Sequence, residues 1–195
     1  MAGKNFSCNN TKGTRKKSDF YQTPYKLTER LLDEEFFDFN VLEPACGDGA
    51  IVKVLEHYGY TVESYDSERD FLKETRRFAA IITNPPFSLA KEFILKASEC
   101  SEKFAFLLPL SYLHGKERFD LFYQGNSVGL SKVYVFTRYP MLDDEVPRED
   151  GKYGTGMMVY AWYVFEKTAI GSDPIIKWLD NNEDVITKKD LKNSS

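Results

Sequence analysis

The most informative segment of the chain is Asn84-Pro85-Pro86-Phe87, directly after the apolar run Ala79 to Thr83. Two consecutive prolines fix the backbone direction and supply no N–H donors, so the carbonyls before them face outward as acceptors. The side-chain oxygen of Asn84 and the carbonyl of Pro85 can then take the two hydrogens of an aromatic amine, aligning its lone pair. Phe87 offers a face on which a flat base drawn out of its stack can lie. A stiff turn is the plainer role for the same tetrapeptide. An amine held this way needs no strong base, because catalysis comes from positioning and from dipoles that stabilise charge growing on nitrogen. His57 and His114, with no matching carboxylate spacing, are expected to be structural or surface residues.

A second cluster lies upstream, where Glu43-Pro44-Ala45-Cys46-Gly47-Asp48-Gly49 closes another apolar run. Gly47 and Gly49 permit positive φ or close backbone approach, as a ligand-binding turn requires and as any tight turn also allows. Glu43 and Asp48 place negative charge there, which opposes a pyrophosphate and accepts a cationic sulfonium and amino acid. That favours S-adenosylmethionine over a dinucleotide. Asp66, about twenty residues past the turn, can accept from both hydroxyls of a ribose. Asp70-Phe71 can receive the adenine, Asp70 accepting from its amino group and Phe71 covering a face. Cys46 belongs to this cofactor side and is not expected to act as the nucleophile of a pyrimidine methylation.

The elements that must carry these residues alternate. A helix is expected from Tyr25 to Phe37, with Leu27, Leu31 and Leu32 on one face and Pro24 near its first turn. Strand Asn40 to Ala45, helix Ala50 to Tyr58, strands Thr61 to Tyr65 and Ala79 to Thr83, helix Ser88 to Glu99, strand Phe104 to Leu108 and helix Lys116 to Phe122 follow. Two later strands, Lys132 to Thr137 and Met157 to Glu166, have no helix between them and should pair antiparallel at a sheet edge. The spacing predicts an α/β fold: a Rossmann-like, mostly parallel seven-stranded sheet with helices on both faces and an antiparallel edge strand. Ligands of such sheets bind outside the carboxyl ends of the strands, where the unusual residues fall.

Composition sets the outer bounds. With 42% hydrophobic and 15% aromatic residues, 195 residues suffice for one core. The expected organisation is a basic arm over 1–17, one catalytic domain over 18–180 and a polar tail over 181–195. Net charge is −4, but the first 17 residues carry Lys4, Lys12, Arg15, Lys16 and Lys17 and no acid. Such an arm is either solvated or phosphate-seeking. The polar connection Asp143 to Gly156 is long enough to be a functional loop. Arg138 and Lys152 stand as candidate substrate contacts. Cys8, Cys46 and Cys100 suggest neither disulfides nor a metal site. With no apolar signal core or membrane-length run, a cytoplasmic protein is expected.

At these residues the sequence resembles the amino-methylating DNA methyltransferases, in the class whose cofactor motif precedes the catalytic motif. Tyr21-Gln22-Thr23-Pro24 looks like the family's segment touching the methionine part of the cofactor, and Leu42 to Gly49 like its first motif. Asp66 looks like the ribose-binding acid, Asp70-Phe71-Leu72 like the adenine-binding motif, and Asn84-Pro85-Pro86-Phe87 like the catalytic tetrapeptide. Phe106 to Leu113 and Tyr160-Ala161-Trp162-Tyr163-Val164 are similar to small adenine methyltransferases of bacteriophages and mobile elements. The resemblance spans about Asp19 to Lys167 and implies S-adenosylmethionine as cofactor and adenine N6 in DNA as acceptor. It assigns Tyr21, Thr23, Pro24, Glu43, Pro44, Ala45, Gly47, Asp66, Asp70, Phe71 and Asn84 to the cofactor side. The family's large target-recognition domain has no counterpart here, so specificity would come from loops, the arm or a partner. An RNA base methyltransferase acting on adenine N6 or guanine N2, a protein glutamine methyltransferase and a non-catalytic subunit remain as alternatives.

Overall fold

A computed structural model describes residues 23–124, 128–137 and 159–180. Its strands are β1 (Asn40–Glu43), β2 (Thr61–Ser64), β3 (Ala80–Thr83), β4 (Lys103–Pro109), β5 (Leu130–Phe136), β6 (Tyr160–Glu166) and β7 (Ile175–Leu179). They form one seven-stranded sheet in the order β2-β1-β3-β4-β6-β5-β7. The helices are α1 (Tyr25–Glu34), α2 (Ala50–His57), α3 (Ala90–Cys100) and the short α4 (Lys116–Phe119). None of the described helices is long and apolar enough to cross a membrane.

The alternation of side chains along β3 sorts the core into two layers. Ala80 and Ile82 pack with Leu27, Leu31, Ile51 and Leu55 of α1 and α2 on one face. Ile81 packs with Phe93, Ile94 and Ala97 of α3 on the other. Every residue of β3 is buried, the pattern of a strand covered on both faces. Trp162 of β6 ties α1 down, its Nε1 donating to the Leu27 carbonyl at 2.8 Å.

The mostly parallel sheet with helices on both faces agrees with the sequence reading, and the antiparallel pairing of the two later strands is present. Its location differs. β6 runs antiparallel to both β4 and β5 and lies between them, inside the sheet and not at its edge. The edge beyond β5 is β7, which pairs with it in parallel and was not expected from the sequence. Non-local pairing decides this placement, and no local pattern encodes it.

α1 stops at Glu34, short of Phe37. Glu35 turns extended, its carboxylate accepting from Lys103 Nζ at 2.5 Å, Lys132 Nζ at 2.8 Å and Tyr134 Oη at 2.6 Å. Phe37 is drawn into the core in the same movement. On the buried face of α1 Thr28 replaces the expected Leu32, which is only half-buried. The helix expected from Lys116 to Phe122 ends at Phe119 and continues as a π turn, Asp120–Gln124. The 1–17 arm, the 143–156 loop, the 181–195 tail, and Tyr21, Arg138 and Lys152 lie outside the described residues.

Candidate functional site

β1, β2 and β3 end side by side, and a cavity of about 610 Å³ opens beyond their carboxyl ends. That size suits a small organic ligand. Its wall includes Thr23, Pro44, Ala45, Gly47, Asp66, Asp70, Phe71, Asn84 and Pro86, so the glycine turn and the double-proline corner share one space. Among the expected site residues, Pro24, Glu43, Pro85 and Phe87 do not belong to this wall.

The turn is built on backbone conformation. Gly47 and Gly49 have φ of 52° and 77°, in the left-handed region where a side chain is strained. A Cβ on Gly49 would meet nothing within 4 Å, so its requirement is conformational and not steric. Cys46 N–H donates to the Tyr65 carbonyl at 3.1 Å and Tyr65 N–H to that of Glu43 at 3.2 Å, docking the turn on the end of β2.

Glu43 lies beneath this turn, fully buried. Its Oε1 accepts from Ala45 N–H at 3.0 Å and from the Thr83 hydroxyl, while Oε2 has no partner. Burial pushes its carboxyl up to about 8, the two hydrogen bonds opposing the rise and the Asp66 charge adding to it. Burial thus favours its neutral form, and Glu43 does not line the cavity. The carboxyl groups that line the cavity are those of Asp48, Asp66 and Asp70, with the Arg69 guanidinium also on the wall.

Asp66 is half-buried on the wall. Asp70 caps the turn Phe71–Lys73, with Oδ1 accepting from Leu72 N–H at 3.0 Å and Oδ2 facing Lys73 Nζ at 3.1 Å. The Lys73 bond and that turn hold its carboxyl below the usual range. Phe71 is buried against Phe93, ring centroids 5.0 Å apart, and lines the cavity.

At the end of β3, Asn84 Nδ2 donates to Thr23 Oγ1 at 3.1 Å. Its Oδ1 is buried with no partner among the described residues, so a donor reaches it only after this corner opens. Pro86 leads into a 3-10 turn, Phe87–Leu89, its carbonyl accepting from Leu89 N–H at 2.9 Å. The Phe87 ring packs against Tyr160, centroids 5.6 Å apart, and bridges the two core layers.

The sequence reading missed six wall residues: Ala50, Ile51, Ser67, Arg69, Leu89 and Phe93. Ser67 and Arg69 could have been found from their place between Asp66 and Asp70, and Phe93 from its helical spacing to the apolar face of α3. Arg69 is no loose cation. Its guanidinium bonds Glu74 at 2.7 Å and Glu63 at 3.3 Å and lies 4.7 Å from the Tyr65 ring centroid.

Among solved structures, a class I S-adenosylmethionine-dependent methyltransferase assignment from Listeria monocytogenes superposes with a TM-score of 0.52 at 14% identity, over 87% of this chain and 67% of the other. The fold is that of the methyltransferases. A Pyrococcus horikoshii protein assigned to the RNA methyltransferases gives a TM-score of 0.51 at 17% identity, over 75% of this chain and 87% of its own. The M protein of the type I restriction enzyme EcoKI gives 0.52 at 11% identity, over 89% of this chain and 51% of its own. No protein-family model matches the sequence, and a comparison with curated proteins returns no match.

Proposed function

We propose that the chain transfers a methyl group from S-adenosylmethionine to the exocyclic N6 amino group of adenine in DNA. One observation carries the reading. Asn84 stands at the end of β3 with its Nδ2 anchored and its buried Oδ1 unpartnered, on the wall of a cavity that also holds Asp66 and the glycine turn. A buried acceptor without a partner is unfavourable unless something donates to it.

The wall fits the cofactor. In this reading Asp66, on the cavity wall, accepts from ribose hydroxyls, and the carboxylates around the turn suit a cationic group better than a phosphate. Gly47, Ala45 and Pro44 allow close approach, and Phe71 and Asp70 border the side where an adenine would lie. When bound, S-adenosylmethionine supplies an electrophilic methyl on a positively charged sulfur.

The chain's own residues then have two tasks. Once the corner opens to expose it, Asn84 Oδ1 accepts one amino hydrogen of the acceptor base, and the two prolines fix the nitrogen so that its lone pair faces the cofactor side. As the N–C bond forms and the C–S bond breaks, the amine loses one proton to solvent. Phe87 and Tyr160 stiffen this corner in the free protein.

Radiolabelled methyl transfer to DNA, RNA and protein in parallel, with identification of the modified nucleoside, tests the assignment. Labelled N6-methyladenine in DNA is expected. Label confined to RNA or to protein glutamine would replace the acceptor, and no label on any acceptor would sink the enzymatic reading. Asn84→Ala should lower turnover by roughly a hundredfold or more while cofactor affinity stays nearly constant. Full retained activity would refute its role.

A further inference from the structure

We propose, resting on the reading of the acceptor as DNA above, that the exposed ring pair Phe119 and Tyr123 is a platform on which a base flanking the acceptor adenine stacks. The pair arises from a local irregularity. After Phe119, α4 passes into the π turn Asp120–Gln124, a feature frequent at functional sites. Leu121 is buried there, and the Phe122 ring packs 5.7 Å from that of Phe165 between centroids. Phe119 and Tyr123, four positions apart, are left outside this anchor and stack on each other, centroids 5.3 Å apart and planes at 25°. Phe119 is 45% exposed and Tyr123 53%.

The platform lies on the cavity side of the sheet. The 3-10 turn Leu110–Leu113 and α4 follow the carboxyl end of β4, which runs parallel to β3. Lys91 Nζ donates to Glu117 Oε1 at 2.5 Å, tying α4 to the first turn of α3, and Leu89, just before α3, lines the cavity. Lys91, Lys116 and Arg118 stand around the rings against Glu117 and Asp120, with Lys116 Nζ 5.4 Å from the Phe119 centroid. Three cations to two acids make this patch positive on a chain of net charge −4. Both lysine pairs are exposed and therefore weak, so each ammonium can pass from a carboxylate to a phosphate at little cost. Flat rings with cations at hand hold an unstacked base and its phosphate whatever the base is. A second copy of the chain is the poorer occupant: a stable interface needs about 800 Å² on each partner and a core depleted of charge. Here five charged residues surround two rings.

Fluorescence anisotropy with the full chain and a labelled single-stranded DNA of roughly twelve nucleotides tests the platform. Tyr123→Ala and Tyr123→Leu should each weaken binding about tenfold, and Tyr123→Trp should bind as well as wild type or better. The slope of log Kd against log salt should be the same in Tyr123→Ala as in wild type, because stacking releases no counterions. Affinity for S-adenosylmethionine should not change.

Equal oligonucleotide affinity in wild type, Tyr123→Ala and Phe119→Ala would overturn the inference and leave the functional reading standing. Full affinity in Tyr123→Leu would also overturn it, since an apolar contact without a ring would then suffice. A wild-type dimer that becomes a monomer in Tyr123→Ala with oligonucleotide affinity intact would give the surface to a second copy. If the wild type binds the oligonucleotide through Tyr123 but methylates no nucleic acid, the platform stands and the functional reading falls; if it binds no oligonucleotide, the platform falls.

Discussion

Glu35 and Glu43 are both buried carboxyl groups, at opposite ends of the sheet, and their surroundings treat them in opposite ways. At the amino ends of β4 and β5, Glu35 is met by Lys103, Lys132 and the Tyr134 hydroxyl. Burial alone would raise its carboxyl, but these bonds outweigh it and hold the group below the usual range. At the carboxyl end of β1, Glu43 meets no cation among the described residues and has one oxygen without a partner among them, and its carboxyl is raised to about 8. The first is a finished contact that fastens α1 to the sheet. The second is incomplete in the free protein and lies beneath the candidate cofactor turn, so local stability has been given up where a ligand would bind.

The largest expected effect is at the finished end. Glu35→Ala should destabilise the fold by about 3 kcal/mol, because two partly buried lysines and a buried hydroxyl lose their shared acceptor. Urea unfolding measures it, and a loss under about 1 kcal/mol would mean the cluster is held together by packing alone.

Glu43→Gln tests the other end through pH. The folded group binds its proton up to about pH 8 and the unfolded group only to about 4.5. Wild-type stability should therefore fall as pH rises through this window and level off above it. Gln keeps an Oε1 for Ala45 N–H and the Thr83 hydroxyl but cannot ionise. It should abolish the decline and leave the variant more stable than wild type at pH 9. Parallel pH profiles for the two proteins would show that Glu43 does not titrate in this range.

Smaller changes sharpen the contrast. Tyr134→Phe removes one charge-assisted bond to Glu35 and should cost about 1.5 kcal/mol in the same urea experiment. Lys116→Ala breaks an exposed pair with Asp120 and should change stability by about 0.5 kcal/mol or less. A larger loss there would undo the argument that burial, and not ion pairing as such, separates the two ends.

The legible parts of the site were those written in consecutive residues. The glycine turn, Asp66 at a strand end, and Asn84 and Pro86 of the proline corner are local signals, and they converge on one cavity because parallel strands bring their carboxyl ends together. The protonation of Glu43 was not legible, since it depends on a depth of burial and on Thr83, which is distant in sequence. The packing of Phe87 was not legible for a similar reason: its partner Tyr160 belongs to a strand inserted between β4 and β5. β7 escaped because Ile175, Ile176 and Trp178 remain exposed, so the run lacks the buried-face alternation by which strands are found.

The insertion of β6 also sets an order on biosynthesis. β4 leaves the ribosome long before Tyr160 to Glu166, the segment that covers its open flank and supplies Gly129 with the neighbour against which only a hydrogen fits. Until then a nascent chain carries a bare, apolar strand margin able to pair with other chains. A fragment ending at Val159 should accordingly self-associate in light scattering at concentrations where the full-length protein stays dispersed.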